Sequence, residues 1–111
     1  MKKAELIDWE RISELRSDFG DDGFEEVVEI FLEEVGEAVE SLGSVCADPE
    51  ALEEVAHFLK GSALNLGFAK LSELCAAAER LAAQGGCIDG SEEISCAFRD
   101  SCAELQKGRA T

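Results

Sequence analysis

Between residues 22 and 46, apolar side chains return every three or four positions: Phe24, Val27, Val28, Phe31, Val35, Ala38, Val39, Leu42 and Val45, with acidic residues filling most of the gaps. That spacing gathers the apolar residues on one stripe of a helix. Gly36 and Gly43 weaken the helix locally without shifting the stripe. The pattern recurs along the chain. Leu52, Val55, Ala56, Leu59, Ala63 and Leu66 predict a helix over 49–66, and Phe68, Leu71, Leu74, Cys75, Ala78, Leu81 and Ala82 predict one over 68–84. Ile94, Ala97, Phe98, Ser101 and Leu105 predict another over 91–107, and a short helix over 8–17 turns Trp9, Ile12 and Leu15 inward.

The boundaries carry their own signals. Asp8 is an N-cap candidate, and FGDDG breaks the chain after the first helix. In ADPEAL, Asp48 can cap and Pro49 suits the first helical position. Gly67 can stop its helix in a left-handed conformation, and Gly85-Gly86 ends the next. Short connections place consecutive helices antiparallel. One apolar stripe on each long helix then predicts an all-α fold: an up-down four-helix bundle with the short N-terminal helix capping one end, in a single domain over 1–111.

Composition narrows the possible roles. A chain of 111 residues supports one modest core, and 46 % apolar content suits a globular fold. Ten Lys and Arg against 25 Asp and Glu give a net charge of −15, which argues against nucleic acid and against an anionic membrane surface. The same charge can steer basic partner surfaces, or be only a solvated exterior. The five cysteines, at 46, 75, 87, 96 and 102, form no CxxC pair, and with one histidine no zinc spacing is present. MKKAELIDWERISEL lacks a signal-peptide core and nothing later could span a bilayer, so a cytoplasmic protein with reduced thiols is expected. Cys75 falls on an apolar stripe and reads as packing. Met1 and the short ends fit a free-standing protein, although a domain cut from a longer protein would look the same. A monomer is the default expectation.

Residues 57–67, HFLKGSALNLG, hold the single histidine and place Gly61 one turn after it. On a wheel centred on the apolar stripe, His57 lies about 140° away, Gly61 about 180°, Leu64 about 120°, Glu53 about 100° and Lys60 about 80°. His57, Gly61 and Leu64 therefore form a column on the outside of the bundle, with Lys60 beside it. Glycine inside a helix costs about 1 kcal/mol relative to alanine. At i+4 it removes a side chain that would overhang the imidazole, which clears an approach for another molecule. The alternative is an incidental surface histidine.

A metal site needs more ligands than one histidine supplies, and Ser62 lies about 140° from His57 on the wheel, poor geometry for a Ser–His pair. A neutral imidazole alone is nevertheless a competent nucleophile toward a phosphoryl group. Such transfer depends mainly on positioning and on neutralising phosphoryl oxygens. Lys60, three residues on, can serve that end or can be an ordinary solubilising lysine. GxxxxGK[ST], HRD and DFG are all absent, so the phosphoryl group would have to come from another protein rather than from ATP.

AHFLKGSALNLG followed by LSELCAAAERL resembles the histidine-containing phosphotransfer (HPt) domains of multistep two-component phosphorelays, whose pattern is approximately AHxLKGSxxNLG then LxxxCxxLE. Ala56, His57, Leu59, Lys60, Gly61, Ser62, Asn65, Leu66, Gly67, Leu71 and Cys75 stand where that pattern wants them. FEEVVEIFLEEV looks like the family's second helix, and the likeness covers about residues 24–82. The resemblance implies an antiparallel four-helix bundle whose exposed histidine accepts a phosphoryl group at Nε2 from a receiver-domain phospho-aspartate and passes it to another receiver's aspartate. His57 would be the phosphorylated residue, Lys60 would meet the phosphoryl oxygens, and Gly61 would admit the receiver's loops. The partners would be receiver domains of response regulators and of a hybrid histidine kinase. No cofactor is expected in this chain, with magnesium on the receiver. Ser62, Asn65 and Gly67 match structural positions of the motif, and Asn65 is expected to make a helix-end hydrogen bond near Gly67.

Phe58, Leu64 and Phe68 depart from the small or polar residues usual at those places. Leu64 and Phe68, with Glu53 on the same side, are expected to form a docking patch for the receiver. Ala76, Ala77 and Arg80 are expected to come level with His57 from the antiparallel fourth helix, with Arg80 adding positive charge. Two rivals are an adaptor that binds receivers without being phosphorylated and a metal- or cysteine-dependent hydrolase. The adaptor would be expected to lose the histidine or the lysine, and the hydrolase lacks a complete residue set.

Overall fold

Asp8 Oδ1 accepts the backbone N–H groups of Glu10 at 3.1 Å and Arg11 at 3.3 Å, and helix α1 (Trp9–Val45) begins there. The computed structural model describes residues 6–88 and 91–110, with side chains of the last helix as far as Gly108. Residues 1–5, on which part of the N-terminal reading rests, lie outside the described residues. α1 is two helical segments fused across a kink at Gly20, whose φ of 74° and ψ of 170° only glycine adopts without strain. The expected break across all of FGDDG therefore contracts to one residue. Asp21, Asp22 and Gly23 remain helical, because a single glycine suffices to redirect the chain.

Helix α2 (Pro49–Leu66) starts as expected. Asp48 Oδ1 accepts the N–H of Ala51 at 3.4 Å, and Pro49 occupies the first turn. It ends at Gly67, which is left-handed with φ 84°. The Gly67 N–H reaches the Leu64 carbonyl at 3.2 Å and the Phe68 N–H reaches the Ala63 carbonyl at 2.8 Å. This pair of bonds satisfies two of the helix's last carbonyls and is accompanied by burial of Phe68 with Ala63. Helices α3 (Ala69–Ala83) and α4 (Glu92–Ala110) follow. Successive helices pack side by side and α4 returns to α1, closing an antiparallel four-helix bundle.

The residues leading into α1, with its first turn, strap the α2–α3 corner. The Asp8 N–H bonds the Gly67 carbonyl at 2.7 Å, Arg11 Nε bonds the Asn65 carbonyl at 2.9 Å, and the Lys70 N–H bonds the Leu6 carbonyl at 3.4 Å. Ile7, Ile12 and Leu15 are buried beneath it. A Cβ at Gly67 would stand 3.1 Å from the Asp8 carbonyl oxygen, so the corner needs glycine for its space as well as for its φ. The helix-end bond expected of Asn65 is thus made by its main-chain carbonyl. Its side chain is exposed and makes no hydrogen bond among the described residues.

Phe24, Val28, Val35, Leu42, Leu52, Ala56, Leu59, Ala63, Leu66, Leu71, Cys75 and Leu105 form the centre of the core, as their spacing predicts. Two of the residues expected to face the core are exposed. Trp9 is 43 % exposed because it lies across the end of α4, where any Cβ on Gly108 would clash with its ring. Leu81 is 41 % exposed and folds over the turn, where a Cβ on Gly86 would approach its Cδ1 to 2.7 Å. No helix among the described residues is long and apolar enough to cross a membrane.

Candidate functional site

The rotation of α2 is fixed by its apolar stripe. Ala56 and Leu59 are fully buried, which turns His57 outward, its side chain 68 % exposed. α3 packs against α2 through a stripe that includes the buried Leu71, Cys75 and Ala78, and this packing brings Glu79 beside the imidazole. Glu79 Oε2 lies 2.7 Å from His57 Nδ1, and Oε1 lies 2.6 Å from Lys60 Nζ. One carboxylate thus ties the histidine and the lysine of α2 to α3. Ser72 Oγ adds a second tie, donating to the Lys60 carbonyl at 3.2 Å.

The carboxylate's electrostatics bear on the tautomer of the ring. Hydrogen bonds from Lys60 and then from His57 hold the Glu79 carboxyl below the usual carboxylate range, against a smaller opposing effect of burial. At neutral pH Glu79 is therefore ionised and can only accept hydrogen bonds. The bond at 2.7 Å then requires the proton on Nδ1, which leaves the lone pair of the neutral ring on Nε2. The ring is oriented from one side and open on the other.

Gly61 is exposed, and a Cβ built on it would meet nothing within 4 Å. Its φ is ordinary, so neither the backbone nor the packing of this chain requires glycine there. Leu64, on the same column, is 64 % exposed, and Glu53 is half-buried. Ser62 is also half-buried.

Phe68 does not belong to a docking patch. It is 0 % exposed, with its ring centroid 6.4 Å from that of Phe98, because the turn at Gly67 directs the following side chain into the core. Arg80 is exposed, and among the described residues it makes no hydrogen bond or ion pair with His57, Lys60 or Glu79. The group level with the imidazole is Glu79. A wheel for α3 carries the signal: Glu79 falls about 80° from the centre of the stripe, on the flank of a neighbouring helix, while Arg80 falls about 180° away. Glu79 also occupies the final position of the LxxxCxxLE pattern.

The thiol of Cys75 is buried, and burial pushes it up to about 12, which leaves it a packing group. Among the described residues no three His, Cys, Asp or Glu side chains are grouped so that they could hold a metal ion.

Comparison with known proteins bears on this arrangement. The family model described as Hpt domain matches residues 26–108. The phosphorelay intermediate protein YPD1 of Candida albicans is 35 % identical over 79 residues, which cover 68 % of this chain and 43 % of that protein. The match therefore spans less than half of the relative's length. Among solved structures, histidine-containing phosphotransfer protein B (HptB) from Pseudomonas aeruginosa PAO1 superposes with a TM-score of 0.84 at 22 % identity, covering 97 % of each chain. The Saccharomyces cerevisiae histidine phosphotransfer signaling protein Ypd1, in co-crystal structure with the receiver domain of its downstream response regulator Ssk1, gives a TM-score of 0.66 at 18 % identity over 99 % of this chain and 93 % of that one. At these identities the two structures speak to the fold.

Proposed function

This chain belongs to the Hpt domain family, and from that premise we propose that it is a histidine phosphotransfer protein, taking a phosphoryl group onto His57 from a receiver-domain phospho-aspartate and handing it to the aspartate of a response-regulator receiver. The observation that carries this reading is the polarised imidazole: Nδ1 engaged by Glu79 at 2.7 Å, the ring exposed, and open space over Gly61. The yeast structure of an Ypd1 with a receiver domain adds support for receiver partners.

In the proposed step the Nε2 lone pair forms an N–P bond while the P–O bond to the donor aspartate breaks, and the aspartate leaves as a carboxylate with the electron pair. Nδ1 keeps its proton, so the phosphorylated ring is cationic and faces the Glu79 carboxylate. Lys60 Nζ, on the other oxygen of that carboxylate, is placed to move onto the phosphoryl oxygens as charge arrives. Transfer onward runs the same exchange with a second aspartate. Magnesium is assigned to the partner receiver, and no cofactor to this chain. With no phosphate-binding loop or kinase motif of its own, the protein carries phosphoryl groups and does not draw them from ATP. It works as a cytoplasmic monomer between the receiver of a hybrid histidine kinase and the receivers of response regulators.

Incubation with a phosphorylated receiver tests the reading. Label is expected to move to this chain in an acid-labile, base-stable form, and His57→Gln is expected to abolish the transfer. Label that reaches the His57→Gln variant as readily as the wild type, or never reaches the wild type, would overturn it.

A further inference from the structure

Two of the five cysteines lie on hydrogen-bonded neighbouring segments at the end of the bundle opposite the Gly67 corner. Cys46 ends α1 just before α2, and Cys87 lies in the connection between α3 and α4. The two segments are joined twice. The Ile88 N–H donates to the Cys46 carbonyl at 3.2 Å, and Cys87 Sγ donates to the Ala47 carbonyl at 3.3 Å. The first of these bonds limits the Cα atoms of Cys46 and Cys87 to about 8 Å at full extension, and to less at any bent geometry. A disulfide spans about 4.4–6.8 Å between Cα atoms. The remaining adjustment falls on a connection that begins with Gly85, left-handed at φ 82° and with open space around it.

Both thiols are reachable, Cys87 exposed and Cys46 half-buried. Cys46 Sγ now points back to the Gly43 carbonyl at 3.7 Å, so rotation about one side-chain bond releases it. The other three thiols are placed differently. Cys75 and Cys102 are held in the unreactive thiol form by burial. Cys96 receives Arg99 Nη2 at 3.2 Å and, among the described residues, has no backbone tie outside its own helix to another cysteine.

We propose that Cys46 and Cys87 are a reversible dithiol pair, closed to a disulfide by exchange with a small-molecule disulfide such as oxidised glutathione. The Cys87 thiolate attacks one sulfur of the oxidant and expels one glutathione thiolate. The Cys46 thiolate then attacks the Cys87 sulfur of the mixed disulfide and expels the second. The protein loses two protons and two electrons, and the glutathione disulfide becomes two thiols. The closed pair clasps the start of α2 to the connection that leaves α3, the two helices that carry His57 and Glu79.

The full chain, incubated with oxidised glutathione and then alkylated under denaturing conditions, tests this by intact mass and peptide mapping. The expected product has lost two hydrogens, keeps three alkylatable thiols of the five, and carries a cross-linked peptide joining Cys46 to Cys87. Its Tm rises by several degrees and dithiothreitol reverses the change. Cys46→Ser and Cys87→Ser are each expected to give a glutathione adduct at the remaining partner. Wild-type protein that accumulates separate adducts at both positions, links other cysteines, or stays fully reduced overturns the pair.

Discussion

Glu79 on α3 and His57 on α2 share a hydrogen bond of 2.7 Å that crosses from one helix to the other, and the same carboxylate grips Lys60 at 2.6 Å. If this bond sets the tautomer, Glu79→Ala should release the proton from Nδ1 and leave the two neutral tautomers mixed. Phosphoryl acceptance from a receiver should slow roughly tenfold, the scale of one charge-assisted hydrogen bond. Nitrogen NMR of the imidazole checks the cause: a wild-type ring protonated at Nδ1 and a mixed ring in the variant. Identical ring spectra would separate Glu79 from the nucleophile.

Gly61→Ala should move stability and transfer in opposite directions. The helix gains about 1 kcal/mol from alanine, because the new methyl meets nothing in this chain. The approach over the imidazole narrows at the same time, so transfer from the receiver should slow. Urea unfolding and transfer kinetics on one variant measure both signs.

Leu64 and Phe68 stand four residues apart and should respond in different ways. Leu64→Asp is expected to slow transfer with the helical circular dichroism unchanged, since the side chain is 64 % exposed. Phe68→Ala empties a fully buried site and should cost about 3–5 kcal/mol of stability. Chemical denaturation of the pair tells docking from packing.

Acid should undo the Glu79 bridge. Its carboxyl is lowered in the fold by Lys60 and then His57, so its contribution to stability is present above the unfolded carboxylate range and is lost as pH falls through the lowered folded value. Wild type is therefore expected to hold a Tm advantage over Glu79→Gln near neutrality, one that shrinks on acidification. A gap that is constant with pH would mean the carboxylate charge is not the stabilising element.

Periodicity made most of this molecule legible. Asp48 and Pro49 mark the start of α2, Gly67 marks its end, and the stripe from Leu52 to Leu66 turns His57 outward. Phe68 obeys the same logic: its place on the apolar stripe leading into α3 assigns it to the core rather than to a docking patch, and the glycine before it directs it there. Glu79 is less legible. The wheel for α3 sets it on the flank of the stripe, about 80° from the centre, whereas matching residues only by their level along the antiparallel helix favours Arg80. Arg80, one residue on, points the other way.

The strap over Gly67 fastens α2 to α3 at one end, through Asp8 on the corner itself and Leu6 just beyond it. His57 lies ten residues from that corner, about 15 Å along the helix axis. At such a lever arm a splay of about 4° between the two helices displaces the carboxylate by about 1 Å relative to the ring. A shift of that size is enough to break a short hydrogen bond. The hydrogen bond between His57 and Glu79 is therefore sensitive to the crossing of the two helices that carry them.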